Sequence, residues 1–168
     1  MITIEEFMTP GPCTLRASDT LQDARAVMTE KHIRHIPITD DDNHLLGLVT
    51  QRDVLAATGP RVNAGSDAPV EADCAKTPLA EVMVREVSVI HPSASLRQAA
   101  LYLQAHKFGC LPVVADDRLI GIITDSDFIA IAINLLEQAE LVEEEIKQEV
   151  ETENALDEIE LPAVEEVV

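Results

Sequence analysis

Gly47-Leu48-Val49-Thr50-Gln51-Arg52-Asp53 and Gly121-Ile122-Ile123-Thr124-Asp125-Ser126-Asp127 are two versions of one phrase. Each is an apolar run that opens on Gly, ends on Thr and carries an acid three residues later, which reads as a strand passing into the first turn of a helix. The correspondence extends outward. An offset of 75 residues superposes Met8 on Met83, Ser18 on Ser93, Leu21 on Leu96, Ala24 on Ala99 and Pro37 on Pro112. Past Asn43, which has no counterpart, the offset becomes 74 and aligns Leu45, Gly47, Thr50 and Asp53 with Leu119, Gly121, Thr124 and Asp127. The apolar positions between them agree as well, Ile36 with Leu111 and Ile38 with Val113. The body of the chain is therefore one supersecondary unit of about fifty residues, written twice.

In copy one, Thr20 caps a helix whose Leu21, Ala24, Val27 and Met28 share one face and which runs to about Lys31. His35 to Thr39 reads as a strand, Asp40-Asp41-Asp42-Asn43 as a tight turn, Leu45 to Thr50 as a second strand and Gln51 to Ala57 as a second helix. With a short strand near Cys13 to Arg16 the order is β-α-β-β-α. Copy two repeats it: a strand near Val87 to Ile90, a helix over Ser95 to His106, strands over Cys110 to Val114 and Leu119 to Ile123, and a helix from Asp125. One-turn helices open both copies, Ile4 to Met8 behind the capping-box spacing of Thr3 and Glu6, and Leu79 to Met83 behind Thr77-Pro78. The fold class is mixed α/β (α+β). The divisions are a first unit over 1–57, a Gly, Ala, Pro and Asp-rich linker over 58–76, a second unit over 77–136 and an acidic tail over 137–168.

Lys+Arg 12 against Asp+Glu 31 gives a net charge of −19, which argues against nucleic acid or an anionic membrane surface as partners. The charge is uneven: residues 137–168 hold thirteen acids and one base, Lys147, so the tail carries −12 and the body −7. The apolar stretch Phe128 to Leu136 is too short for a bilayer span and the N-terminus lacks a basic start, so a soluble, cytoplasmic protein is expected. Cys13, Cys74 and Cys110 have no metal-ligand spacing and read as free thiols.

The doubled unit, with Ile36-Pro37 and Leu111-Pro112 on its strands and the two Gly-to-Asp phrases, resembles the tandem CBS domain over nearly all of residues 1–136. The resemblance implies two intimately packed units related by a pseudo-two-fold axis, with two clefts that commonly bind AMP, ADP, ATP or related adenosyl ligands, in modules that usually regulate rather than catalyse. The residue types suit such a ligand. A strand ending in Thr and leading into a helix presents a hydroxyl and free N–H groups to phosphate or ribose oxygens, the position of Thr50 and Thr124. Asp53 and Asp127 match the family's ribose-binding position, and Ser126 adds a hydroxyl in copy two. The same Thr and Asp pairs also read as ordinary helix N-caps.

By position, Pro12 to Thr14 and Ile33 to Ile36 wall the cleft of copy one, and Val87 to Val89 and Phe108 to Leu111 that of copy two. Cys13, Thr14 and Ile36 are the candidate ligand residues in the first set; Ser88, Phe108, Cys110 and Leu111 are those in the second. Phe108 stacks on a base or packs in the core. The copies diverge in Lys31-His32-Ile33-Arg34-His35, whose equivalent is His106-Lys107-Phe108-Gly109-Cys110. Arg34 and His35 fall where the family often places phosphate contacts, so phosphorylated ligands are expected in the cleft of copy one, whereas Gly109 and Cys110 forgo such contacts in copy two. The basic run also reads as a solvated helix end, and Arg52, Arg97 and Arg118 are further candidates for phosphate.

No catalytic triad, paired-acid motif, P-loop or metal motif is visible, so no enzyme activity, cofactor or metal is expected. Asp40 to Asn43 lacks the pattern of a calcium loop. The tail begins with Leu135, Ala139, Val142, Ile146 and Val150 on one helical face and ends in Glu-rich sequence broken by Pro162. Two functions compete: a sensor of adenine nucleotides acting as a homodimer or on a separate protein target, and a ligand-free scaffold acting through its dimer surface and acidic tail.

Overall fold

The computed structural model describes residues 2–58 and 76–157. The linker expected at 58–76 lies outside the described residues except at its ends, as do Cys74 and Pro162. Residues 1–127 form one compact unit and 128–168 a second.

Helix α1 spans Leu21–Lys31; Thr20 caps it, its hydroxyl accepting from the Asp23 N–H while the Asp23 carboxylate accepts from the Thr20 N–H. His32 ends it with φ 54°, a left-handed cap that turns the chain sharply into strand β2, His35–Thr39. Strand β3, Leu45–Thr50, returns antiparallel beside β2 and leads into α2, Gln51–Thr58. Copy two repeats this course through α3, Leu96–His106, capped by Ser95 and Gln98 and ended by Lys107 at φ 58°, then β4, Cys110–Ala115, β5, Arg118–Thr124, and α4, Asp125–Asp157.

The expected strand near Cys13 is only a parallel bridge between Leu15 and Ile38, and that near Val87 only a bridge between Ile90 and Val113. Neither ladder steps back from its bridge, because the next donor would be the N–H that Pro37 and Pro112 lack. The opening turns are shorter than expected, Ile4–Glu6 and Leu79–Glu81. Pro78 rather than Thr77 is the cap of the second, and the Thr77 carbonyl instead accepts from the Leu21 N–H at 3.0 Å.

The segment after each opening turn joins the other copy. Strand β1, Thr9–Pro10, pairs with Ile122 and Gly121 of β5, giving the sheet order β1-β5-β4. In return Val84 exchanges two backbone hydrogen bonds with Leu48 of β3, both 2.9 Å. The opening turns cross as well: Ile4 N–H donates to the Ala94 carbonyl at 3.0 Å and Leu79 N–H to the Asp19 carbonyl at 2.7 Å. Leu79 and Met83 thereby complete the core of copy one, with Leu21, Ala24, Met28, Ile36, Ile38, Val49 and Val54.

This exchange demands glycine in the receiving strands. A Cβ on Gly47 would stand 2.8 Å from both the Val84 carbonyl oxygen and the Met83 sulfur, and one on Gly121 would press on the Met8 sulfur. A third close approach joins the copies at His35, whose Nε2 lies 2.7 Å from where a Gly109 Cβ would sit. Burial pushes the His35 imidazole below its usual pKa, against the pull of Asp125 and Asp53 and with the help of Arg34 and Arg52.

Two outcomes are expected. Gly47→Ala should cost about 1–3 kcal/mol through overpacking against backbone that cannot yield, seen as a lowered urea midpoint. Because the unfolded chain takes up a proton at His35 near pH 6.5 and the folded chain only lower, stability should fall as pH drops through 6.5 toward 5. His35→Gln should show a shallower fall in urea titrations at pH 7 and 5.

Candidate functional site

A cleft of about 220 Å³ opens between the copies, lined by Thr9, Pro12, Cys13, His32, Ile33, Arg34, His35, Ile122, Thr124, Ser126 and Asp127. Its walls come from both repeats. The β1–β5 pairing lays Thr9 beside Ile122, and Pro12 and Cys13, which follow β1, line the cleft with them. The left-handed turn at His32 delivers Ile33, Arg34 and His35 to the opposite side.

The floor is the junction of β5 and α4. Asp127 Oδ2 accepts from the Thr124 N–H at 2.7 Å and from its hydroxyl at 2.9 Å. Copy one holds the same device, Asp53 Oδ2 accepting from the Thr50 N–H and hydroxyl, both at 2.7 Å. The capping role is thus realised at both junctions. It occupies one carboxylate oxygen, and among the described residues no hydrogen bond reaches either Oδ1, which leaves an acceptor for a ligand hydroxyl. On the wall, Arg34 Nη2 donates to Ser126 Oγ at 3.1 Å and pairs with Asp125 Oδ1 at 3.3 Å.

The cleft therefore differs from the expectation drawn within each copy. The Arg34 side chain crosses to copy two, so the basic residues of the first repeat meet the Thr, Ser and Asp of the second. His35 is the register partner of Thr50 in β2–β3, yet its ring lines the cleft of Thr124 and Asp127 and packs on Gly109. The reason is the exchange of opening segments, which displaces each wall by one copy.

Other expected site residues lie elsewhere. The side chains of Ile36, 0% exposed, and Leu111, 1% exposed, belong to the core and leave only backbone to a ligand. Cys110 is buried too, its thiol pushed up to about 12 by burial and then by Asp125, so it stays protonated at neutral pH. Thr14 follows Cys13 but does not line the cleft. Phe108 is 45% exposed, not core, and joins Tyr102 and His106 in a ring cluster whose Tyr102 hydroxyl bonds Ser88 Oγ at 2.9 Å. Arg118 opens β5 at the end opposite Thr124, and Arg97 sits in the first turn of α3, away from Phe108. Sequence reasoning missed Thr9, His32 and Ile122 as lining residues. Only the cross-copy register of β1 brings Thr9 and Ile122 there, and a two-residue strand holding a proline carries no alternation to reveal it.

Comparison with known proteins accords with this architecture. The CBS domain family model matches residues 4–59 and 79–134. The crystal structure of AcuB from Vibrio cholerae, named for acetoin utilization, is 49% identical and superposes with a TM-score of 0.71, covering 83% of this chain and 96% of that one. CBSX2 of Arabidopsis thaliana, crystallised in complex with AMP, is 29% identical at a TM-score of 0.67, over 80% of this chain and 98% of its own. The homoserine O-acetyltransferase of Methanocorpusculum labreanum is 30% identical over 124 residues, 73% of this chain and 23% of that enzyme. The chain spans well under half the length of the curated relatives that head the comparison. With both repeats matched and the doubled fold in place, the chain belongs to the CBS domain family, as a pair of CBS units.

Proposed function

We propose that the chain is a regulatory module that binds an adenine nucleotide in the cleft between Arg34 and Asp127, and that occupancy alters its contacts with a second copy or with a protein target. The observation that carries this reading is the meeting, across the repeat boundary, of a carboxylate with an uncommitted oxygen and a guanidinium on the opposite wall. A ribose places its hydroxyls on Asp127 Oδ1, its phosphate reaches Arg34, Ser126 and the N–H groups that open α4, and the base lies against Ile33 and Pro12. At about 220 Å³ the cleft is small for a drug-sized ligand, so part of the nucleotide stays in solvent. The complex of CBSX2 with AMP supports the ligand class.

The partner in this reading is a second copy. Leu103 is core, but Leu101 on α3 is exposed, and α4 exposes Ile129, Ile133, Leu135 and Leu136. The apolar residues that follow one another along α4 mark an interaction surface. The scaffold alternative draws on the same residues together with the exposed Val142, Ile146 and Val150 of the acidic helix. Among the described residues no helix is long and apolar enough to cross a membrane.

Calorimetry with AMP should give a micromolar Kd, roughly −8 kcal/mol, and ligand at 100 times Kd should raise stability by about 2.7 kcal/mol. Asp127→Asn should weaken AMP and adenosine alike. Arg34→Ala should weaken AMP at least tenfold, about 1.4 kcal/mol, and leave adenosine nearly unchanged. No binding of AMP, ADP, ATP, NAD or S-adenosylmethionine at millimolar concentration would replace the sensor with the scaffold. Light scattering should find a species heavier than the 18.3 kDa monomer at tens of micromolar protein; a monomer alone would remove the second copy from the reading.

A further inference from the structure

Resting on the binding reading above, we propose that Asp125 is a specificity-determining residue that limits the negative charge this cleft accepts, by competing with ligand phosphate for Arg34. Asp125 stands between the cleft-lining Thr124 and Ser126, as the first residue of α4. Its Oδ1 is 3.3 Å from Arg34 Nη2 and 3.4 Å from Ser126 Oγ, so it holds the same two groups that a phosphate in the cleft needs. Arg34 and Asp125 are each about half exposed, at 54% and 50%, so a ligand can reach the pair and break it without unfolding anything around it. The attachment of Asp125 to the fold is through its backbone, whose N–H donates to the Gly109 carbonyl at 3.0 Å.

The charge balance follows from these positions. Arg34 is the guanidinium paired with Asp125; Arg52 and Asp53 add one charge of each sign close enough to act on His35, which burial holds below its usual pKa and so neutral at pH 7. The field of Asp125 extends across the cleft and into the fold, where it pulls the His35 pKa up and adds to the rise at the buried Cys110 thiol. An uncharged adenosine meets no opposition here. A monophosphate must take Arg34 from Asp125 and then lie beside a like charge, and each further phosphate adds to that repulsion. Copy one has Gln51 at the position equivalent to Asp125, so the filter belongs to one junction only. The two clefts of the pair consequently differ in the ligand charge they tolerate, through a position that neither ribose nor base touches.

The test is calorimetric titration of the full chain and of Asp125→Asn and Asp125→Gln with adenosine, AMP and ATP, with thermal melting as the check on folding. Two variants are used so that the loss of one to misfolding leaves the other. Adenosine affinity should stay within twofold in both. AMP should tighten at least fivefold and ATP by more than AMP. In an Arg34→Ala background the AMP gain should be smaller than in the unsubstituted background, because only the like-charge repulsion is then relieved and there is no guanidinium to compete for. Unchanged or weaker AMP binding in the variants, an equal gain for adenosine, or a full gain without Arg34 each overturns the proposal. These outcomes all require adenosine to bind. Absence of adenosine and AMP binding by the unsubstituted chain defeats the nucleotide reading itself, and this proposal with it.

Discussion

Two backbone pairings govern the molecule: the two hydrogen bonds between Val84 and Leu48, and the antiparallel register of Thr9 and Pro10 with Ile122 and Gly121. Neither repeat finishes its own sheet. A two-stranded hairpin such as β2–β3 is marginal alone, and here the neighbour supplies both an added edge and the core side chains Leu79 and Met83. The glycines in β3 and β5 record that dependence, since only a residue without a Cβ lets a methionine and a carbonyl lie so near. Every later feature, the cleft included, inherits its geometry from this crossing.

Much of this was legible in the sequence. The capped helices α1 and α3, both hairpins and the passage from strand to helix at Thr50 and Thr124 follow from apolar spacing and capping residues, which are local signals. The duplication added the equivalence of the two halves. The partnership of the walls was not legible. Arg34 precedes Thr50 by sixteen residues and Ser126 by ninety-two, and the side chain chose the distant partner. Local pattern cannot report such a choice, because it is made by a two-residue strand whose pairing rests on sequence-remote backbone groups. The same limit applies to Phe108, whose exposure depends on the stack with Tyr102 and His106 rather than on its own apolar character.

The Thr–Asp pairs show why a functional and a structural reading need not exclude each other. A carboxylate has two oxygens, and the helix cap uses one. The cap also fixes the rotamer of the aspartate, so a ligand hydroxyl meets an acceptor already held in place and little side-chain freedom remains to be lost on binding. In the binding reading proposed above, the aspartate serves stability and recognition through different atoms of one group, which is why asparagine, preserving the shape, is the more informative replacement.

The crossing of segments has a further meaning when the body is viewed as an assembly. Contacts in which each half gives the other the same element that it receives are those of an isologous two-fold dimer. Here the two protomers lie on one chain, so their association is intramolecular and insensitive to dilution. Joining them also releases the halves from identity. His35 and Cys110, or Asp125 and Gln51, occupy equivalent places with unlike chemistry, a divergence that a dimer of identical subunits could not carry.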